Sequence, residues 1–182
     1  MIELPNIESL PFEAATWSHA CEAAAAQRVE DTVMLDVQRT LSQCGRWDGV
    51  YILSILARYE TSVLVDADGC VFLDWGTAGQ VTLQPPIGAK APFRLWVHTH
   101  PGFAAYWSST DTHSLALGAG FVERAMVLGE PGPKSTANRR FIHSDETLCL
   151  SEQGPLAQWS EEPVVYWDEW YRENGIALEV KT

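Results

Sequence analysis

The stretch Leu95-Trp96-Val97-His98-Thr99-His100-Pro101-Gly102 constrains this chain more than any other. It begins as an apolar run, turns polar at two histidines and breaks at Pro-Gly. An extended segment points alternate side chains to opposite faces, so His98 and His100 share one face and Thr99 takes the other. Proline has no N–H to donate, so Pro101 is expected to end regular pairing. After a loop, Ser108-Ser109-Thr110-Asp111 reads as a helix start. Ser108 is placed as N-cap and Asp111 in the first turn, where a carboxylate is favoured. Two imidazoles from a strand end and one carboxylate from a helix start can meet at a point. Three protein ligands with a fourth position open describe a catalytic zinc site rather than a structural one.

The pattern His-x-His-Pro, six residues, then Ser-x-x-Asp resembles the signature of the JAMM (MPN-plus) metalloproteases. Every fixed position is matched, by His98, His100, Pro101, Ser108 and Asp111. By motif the resemblance covers Glu60 to Asp111, and by element order it extends to about residue 150. It implies a zinc isopeptidase that removes ubiquitin or ubiquitin-like proteins, with one Zn2+ per chain on His98, His100 and Asp111. It also implies an α+β fold, an MPN (JAB)-like mixed β-sheet flanked by helices with cytidine-deaminase-like layering. Residues 1–46 would form an extra N-terminal helical extension and residues 47–182 the metalloprotease domain, in a single globular unit. The implied partner is a ubiquitin-like protein or its conjugate, threaded as an extended strand that could pair with a sheet edge. Two other readings stand beside it. One is a non-catalytic MPN scaffold subunit, although such members usually lose metal ligands that this chain keeps. The other is a RadC-like relative, whose motif typically reads His-Asn-His-Pro-Ser-Gly; this chain departs from it at Thr99 and Gly102.

Hydrolysis at such a site needs a group that takes a proton from water and hands it to the leaving amine. In the family this is a glutamate at the start of a strand upstream of the histidines. Glu60, immediately before Thr61-Ser62-Val63-Leu64-Val65, matches it. The interval from Glu60 to His98 is short, with turns and strands and no helix, so a connecting element is trimmed. Glu30 is the rival, but its neighbours follow helical periodicity. Ser108 has a second role by resemblance, as a hydrogen-bond donor to the oxyanion; Ser109 competes, but the spacing favours Ser108. His113 is two residues from Asp111, and helical i, i+2 pairs do not share a face, so it is not expected to be a ligand. His19 and His143 are isolated. In the loop after the histidines, Phe103, Tyr106 and Trp107 either bind a substrate tail or anchor the loop to the core.

Composition bounds these expectations. A chain of 182 residues can bury about 70% of its unfolded surface without staples. A hydrophobic content of 46% and eight tryptophans argue for a packed globule. A net charge of −12 speaks against nucleic acid and anionic membrane as partners. Cys21, Cys44, Cys70 and Cys149 are widely spaced and read as reduced, mostly buried thiols. No apolar run approaches the roughly 20 residues that span a bilayer, and Met-Ile-Glu-Leu-Pro lacks a basic signal-peptide start. A cytoplasmic location is the expectation.

Along the chain, residues 12–27 are Ala-rich and favour helix. Val29, Val33, Val37 and Leu41 recur at i, i+4 and predict an amphipathic helix ended by Gly45. Residues 48–59 are apolar nearly all round; periodicity cannot choose between helix and strand, and the resemblance favours helix. Strands are expected at 60–66, 70–75, 80–83 and 92–98, with a hairpin turn at Ala67-Asp68-Gly69. A helix over 112–124 and a buried strand over 125–129 follow, then a loop over 130–135. A terminal strand pair at 140–143 and 147–150 and an amphipathic helix over 161–171, packed on the edge, complete the reading.

Overall fold

A computed structural model describes residues 9–79, 82–143 and 148–178. Its elements run α1 (Ala14–Ala25), α2 (Thr32–Gln43), α3 (Trp47–Ala57), β1 (Thr61–Val65), β2 (Val71–Trp75), β3 (Leu95–Ala104), α4 (Ser109–Gly118), β4 (Arg124–Glu130), β5 (Pro133–Ala137) and α5 (Trp167–Glu173). The architecture is α+β. The five strands form one mixed sheet in the order β2-β1-β3-β4-β5. β3 lies at its centre, antiparallel to β1 and parallel to β4, and α4 makes the crossover that a parallel pair requires.

Alternation along the strands divides the core. Val63, Val97 and Leu128 face α1, α2, α3 and α5, whereas Leu64, Trp96 and Ala125 face Leu115 of α4 and Trp159. The N-terminal helices therefore share one core with the sheet. α3 is buried almost all round because it lies between the sheet and its neighbouring helices. Gly49 lets α2 approach it, since a Cβ there would stand 2.7 Å from Leu41 Cδ2. Arg46 and Asp48 form a two-pronged ion pair at 3.0 and 2.8 Å at the start of α3, and Arg46 also donates to the Ser9 carbonyl. Asp48→Ala is expected to lose about 3–5 kcal/mol of stability in urea unfolding, because a buried guanidinium is left uncompensated. A loss below about 1 kcal/mol would show that the pair is not desolvated.

Several expectations need correction. α2 begins at Thr32, not Val29, because the Asp31 carboxylate accepts the Met34 N–H and fixes the start. Its inner stripe is Met34, Val37, Gln38 and Leu41, and Val33 is exposed. β3 does not stop at Pro101. It runs to Ala104 across a register shift, and Ala105 N–H donates to Glu130 O at 3.0 Å. A bulge lets proline sit inside a strand where no ladder hydrogen bond is asked of it. Gly129 permits that approach, because a Cβ there would lie 2.7 Å from Ala105 N.

α4 ends at Gly118, and β5 occupies part of the expected 130–135 loop. Gly132 is required in the connection, since a Cβ would meet Val165 O at 1.9 Å. The expected strand over 140–143 does not form; Arg140 lies in a turn with Arg139. The cause is buried Asn138, whose Nδ2 donates to Ala119 O and Val122 O and whose Oδ1 accepts Arg140 N–H. Of the expected partner strand, Thr147 lies outside the described residues and Cys149 makes only an isolated bridge to Ser160. The expected strand at 80–83 has Gln80 and Val81 outside the described residues, and Thr82 and Leu83 are not strand. Residues 161–166 are not helical. Pro163 disfavours helix before it, and the Lys134–Val164 bridge lays this segment against β5. None of the four cysteines is buried and all are free thiols; Cys44 and Cys70 are exposed. Among the described residues, no helix is long and apolar enough to cross a membrane.

Candidate metal centre

His98 and His100 occupy successive inward positions of β3 on the α4 side, as alternation requires, and both are buried. Asp111 enters from the first turn of α4. Its position is fixed by a capping box: Ser108 Oγ accepts Asp111 N–H at 3.2 Å, and Asp111 Oδ2 accepts Ser108 N–H at 2.7 Å. The same carboxylate meets both imidazoles, with Oδ1 3.0 Å from His98 Nε2 and Oδ2 3.4 Å from His100 Nε2. One ligand atom from each of the three residues lies within 4.8 Å of the others.

This group could hold a metal ion, and its geometry fits one. Tetrahedral coordination with bonds of about 2.1 Å separates donors by about 3.4 Å, and the two histidine–carboxylate spacings, each to a different oxygen of Asp111, are 3.0 and 3.4 Å. His98 Nε2 is fully buried and, although 3.0 Å from Asp111 Oδ1, lacks the alignment of a hydrogen bond. A buried polar atom left in that way needs another partner, and a cation between the three groups would supply it. His100 Nδ1 lies 3.1 Å from the Ala104 carbonyl. Donation there assigns the tautomer that leaves Nε2 as a lone pair for a metal. The strand bulge thus serves the site by bringing Ala104 back over His100.

The electrostatics differ among the three residues. Burial pushes the His98 imidazole below its ordinary pKa despite Asp111, which keeps it neutral. At His100 burial acts the same way, but Asp111, the Ala104 carbonyl and Glu60 outweigh it and raise the pKa. For Asp111 burial is likewise outweighed, by both histidines and Ser108, and the carboxyl is held far below the usual range.

A cavity of about 250 Å³ is lined by Glu60, His100, Ser108 and Asp111 among others; His98 lies buried behind it. Glu60 and Ser108 therefore line the same cavity as His100 and Asp111. Tyr106 lines the cavity too, edge-on to His100 at 5.2 Å, with its ring half exposed; Phe103 lines it as well. Trp107 does not line it and packs in the α4-side core, 6.0 Å from the His98 ring. His19 lies away from the site, paired with Asp31. Neither Glu30 nor His113 lines the cavity. Sequence reasoning missed Ala78, Gly79 and Thr110 in the wall and the Ala104 carbonyl behind His100. It also missed Tyr51, whose hydroxyl lies 3.4 Å from Gly102 N and 3.5 Å from His100 O. None carries a local signal except Thr110, which stands inside the capping sequence.

No protein-family model, curated protein or solved structure matches the chain.

Proposed function

We propose that the protein is a zinc-dependent isopeptidase of the JAMM type, with an MPN-like fold. It would cleave the amide bond after the C-terminal tail of a ubiquitin-like modifier. The observation that carries this reading is that Glu60 and Ser108 line one cavity with His100 and Asp111, two of the three residues that could hold a metal ion. Two histidines and a carboxylate also suit iron(II), so the ligand set alone does not select the metal. A glutamate for moving protons and a hydroxyl for an oxyanion favour hydrolysis, and hydrolysis favours zinc.

His98, His100 and Asp111 would hold the ion. When bound, zinc supplies Lewis acidity that polarises a carbonyl and lets water act as a nucleophile near neutral pH. Glu60 takes the proton of the attacking water and delivers it to the departing amine. The carboxylate has little exposure, so bulk water does not compete for that proton. Ser108 Oγ accepts from Asp111 N–H, which leaves its own O–H as a donor for the developing oxyanion. Tyr106 and Phe103 form an apolar rim for the extended tail.

The test is elemental analysis of purified protein, followed by assay on ubiquitin joined through its C-terminal glycine to a fluorogenic amine. Equimolar zinc and chelator-sensitive release of the amine are expected. Stoichiometric iron, or a zinc-loaded protein that releases nothing from this probe, would overturn the reading. For Ser108→Ala, kcat is expected to fall about 10²–10³-fold with KM nearly unchanged. Loss of the cap should also cost about 1 kcal/mol of stability, read by urea unfolding. An unchanged kcat would remove Ser108 from the chemistry.

A further inference from the structure

We infer that Thr99 and Ser54 are positioning residues for Glu60, an assignment that rests on the role given to Glu60 above. Thr99 lies between the two histidines and points through the sheet to the opposite face, towards α3. Its hydroxyl is completely buried, 2.5 Å from Ser54 Oγ, and it accepts the Thr61 N–H at 2.9 Å. Ser54 Oγ donates its single proton to the Tyr59 carbonyl at 2.6 Å. The Thr99 proton must then go to Ser54 Oγ, since each hydroxyl has one hydrogen to give. The result is a directed chain from Thr61 N–H through Thr99 and Ser54 to Tyr59 C=O.

Tyr59 C=O and Thr61 N–H are the peptide groups on either side of Glu60, so the chain closes a ring around that residue. The peptide groups of Glu60 itself are held from the other direction: its N–H donates to Thr77 O and its carbonyl accepts Gly76 N–H, both at 2.9 Å. Glu60 is therefore clamped between the β1–β2 end and the back of the strand that carries the histidines. Valine would fill position 99 equally well and suits a strand better than a residue with a polar atom to satisfy. The hydroxyl is used for the ring, and through it the same strand that presents the ligands sets the place of the proton-moving group. A misplacement near 1 Å at such a group costs about 100-fold in rate.

The test uses zinc-loaded Thr99→Val, Thr99→Ser and Ser54→Ala with three readouts. These are zinc affinity by chelator competition, the 13C resonance of the Glu60 carboxyl, and turnover of the ubiquitin–amine probe. The resonance is assigned by its absence in Glu60→Gln. Thr99→Val is expected to keep zinc affinity within about threefold, because its side chain is on the face away from the ligands. It should move the Glu60 resonance and lower kcat about tenfold or more at unchanged KM. Thr99→Ser should restore all three, and Ser54→Ala should reproduce Thr99→Val, which also decides the matter if Thr99→Val does not fold. An unmoved Glu60 resonance in the folded variants, or a Thr99→Ser protein that restores nothing, overturns the inference. If the wild-type protein does not turn over the probe, the proposed function fails by itself, and the resonance still decides whether Glu60 is positioned in this way.

Discussion

Asp111→Ala is expected to abolish stoichiometric metal binding. The carboxylate is buried between His98 and His100 and is the one acidic group among the three residues that could hold an ion. Removing a group that only orients a ligand costs 10–100-fold in affinity, so removing a ligand should cost more than about 100-fold. Equilibrium dialysis with elemental analysis reads this directly. Thermal unfolding gives a second measure. If zinc is the ion, zinc at 1,000 times its dissociation constant would stabilise the wild-type protein by about 4.1 kcal/mol, and the variant should lose that response. Asp111 also accepts Ser108 N–H, so the substitution weakens the start of α4. Asp111→Asn separates the two effects, because its amide oxygen can still accept that bond while the charge is gone. Full metal content in Asp111→Ala would show that the ion, if any, is held elsewhere.

Glu60→Gln should lower kcat about 10²–10⁴-fold, the range for loss of a general acid–base group, while metal content stays equimolar. The substitution is nearly isosteric, and its backbone anchors to Thr77 and Gly76 do not involve the carboxylate. A fall in rate would therefore report lost proton transfer, not a displaced strand. The rate is measured on the ubiquitin–amine probe with the metal content of the same sample determined in parallel. Retained activity would move the proton-transfer role to another group; lost metal would make Glu60 a ligand.

What could be read from the sequence was what depends on neighbours in the chain. Period-two alternation placed His98 and His100 on one face, and the Ser108–Asp111 spacing gave the capping box that the structure contains. The helix over Trp47–Ala57 needed the resemblance, because a uniformly apolar stretch has no period to read. β5 was illegible for a different reason. Pro133, Lys134 and Ser135 carry little strand signal, and they pair because β4 and the 159–165 segment flank them on either side. The passage of β3 beyond Pro101 likewise depends on Gly129, far along the chain. Within the site, the grouping of His98, His100 and Asp111 follows from local pattern and was therefore visible. The Ala104 carbonyl and the cavity wall at Ala78 and Gly79 are products of tertiary folding. The approach of Glu60 to the histidines depends on β1 pairing with β3, where Ser62 stands opposite His98.

The double employment of Asp111 has a consequence for how the molecule assembles. The carboxylate that ties the opening turn of this helix is also one of the three groups that could hold an ion, so ordering the turn sets that carboxylate in place beside the two imidazoles. The Ser108–Asp111 bonds already order that turn, so an ion held by the same carboxylate would add to its stability, and amide hydrogens at residues 108–112 should exchange more slowly once the ion is in place. Lengthening the side chain by one methylene, as in Asp111→Glu, would disturb both ends of the arrangement at once.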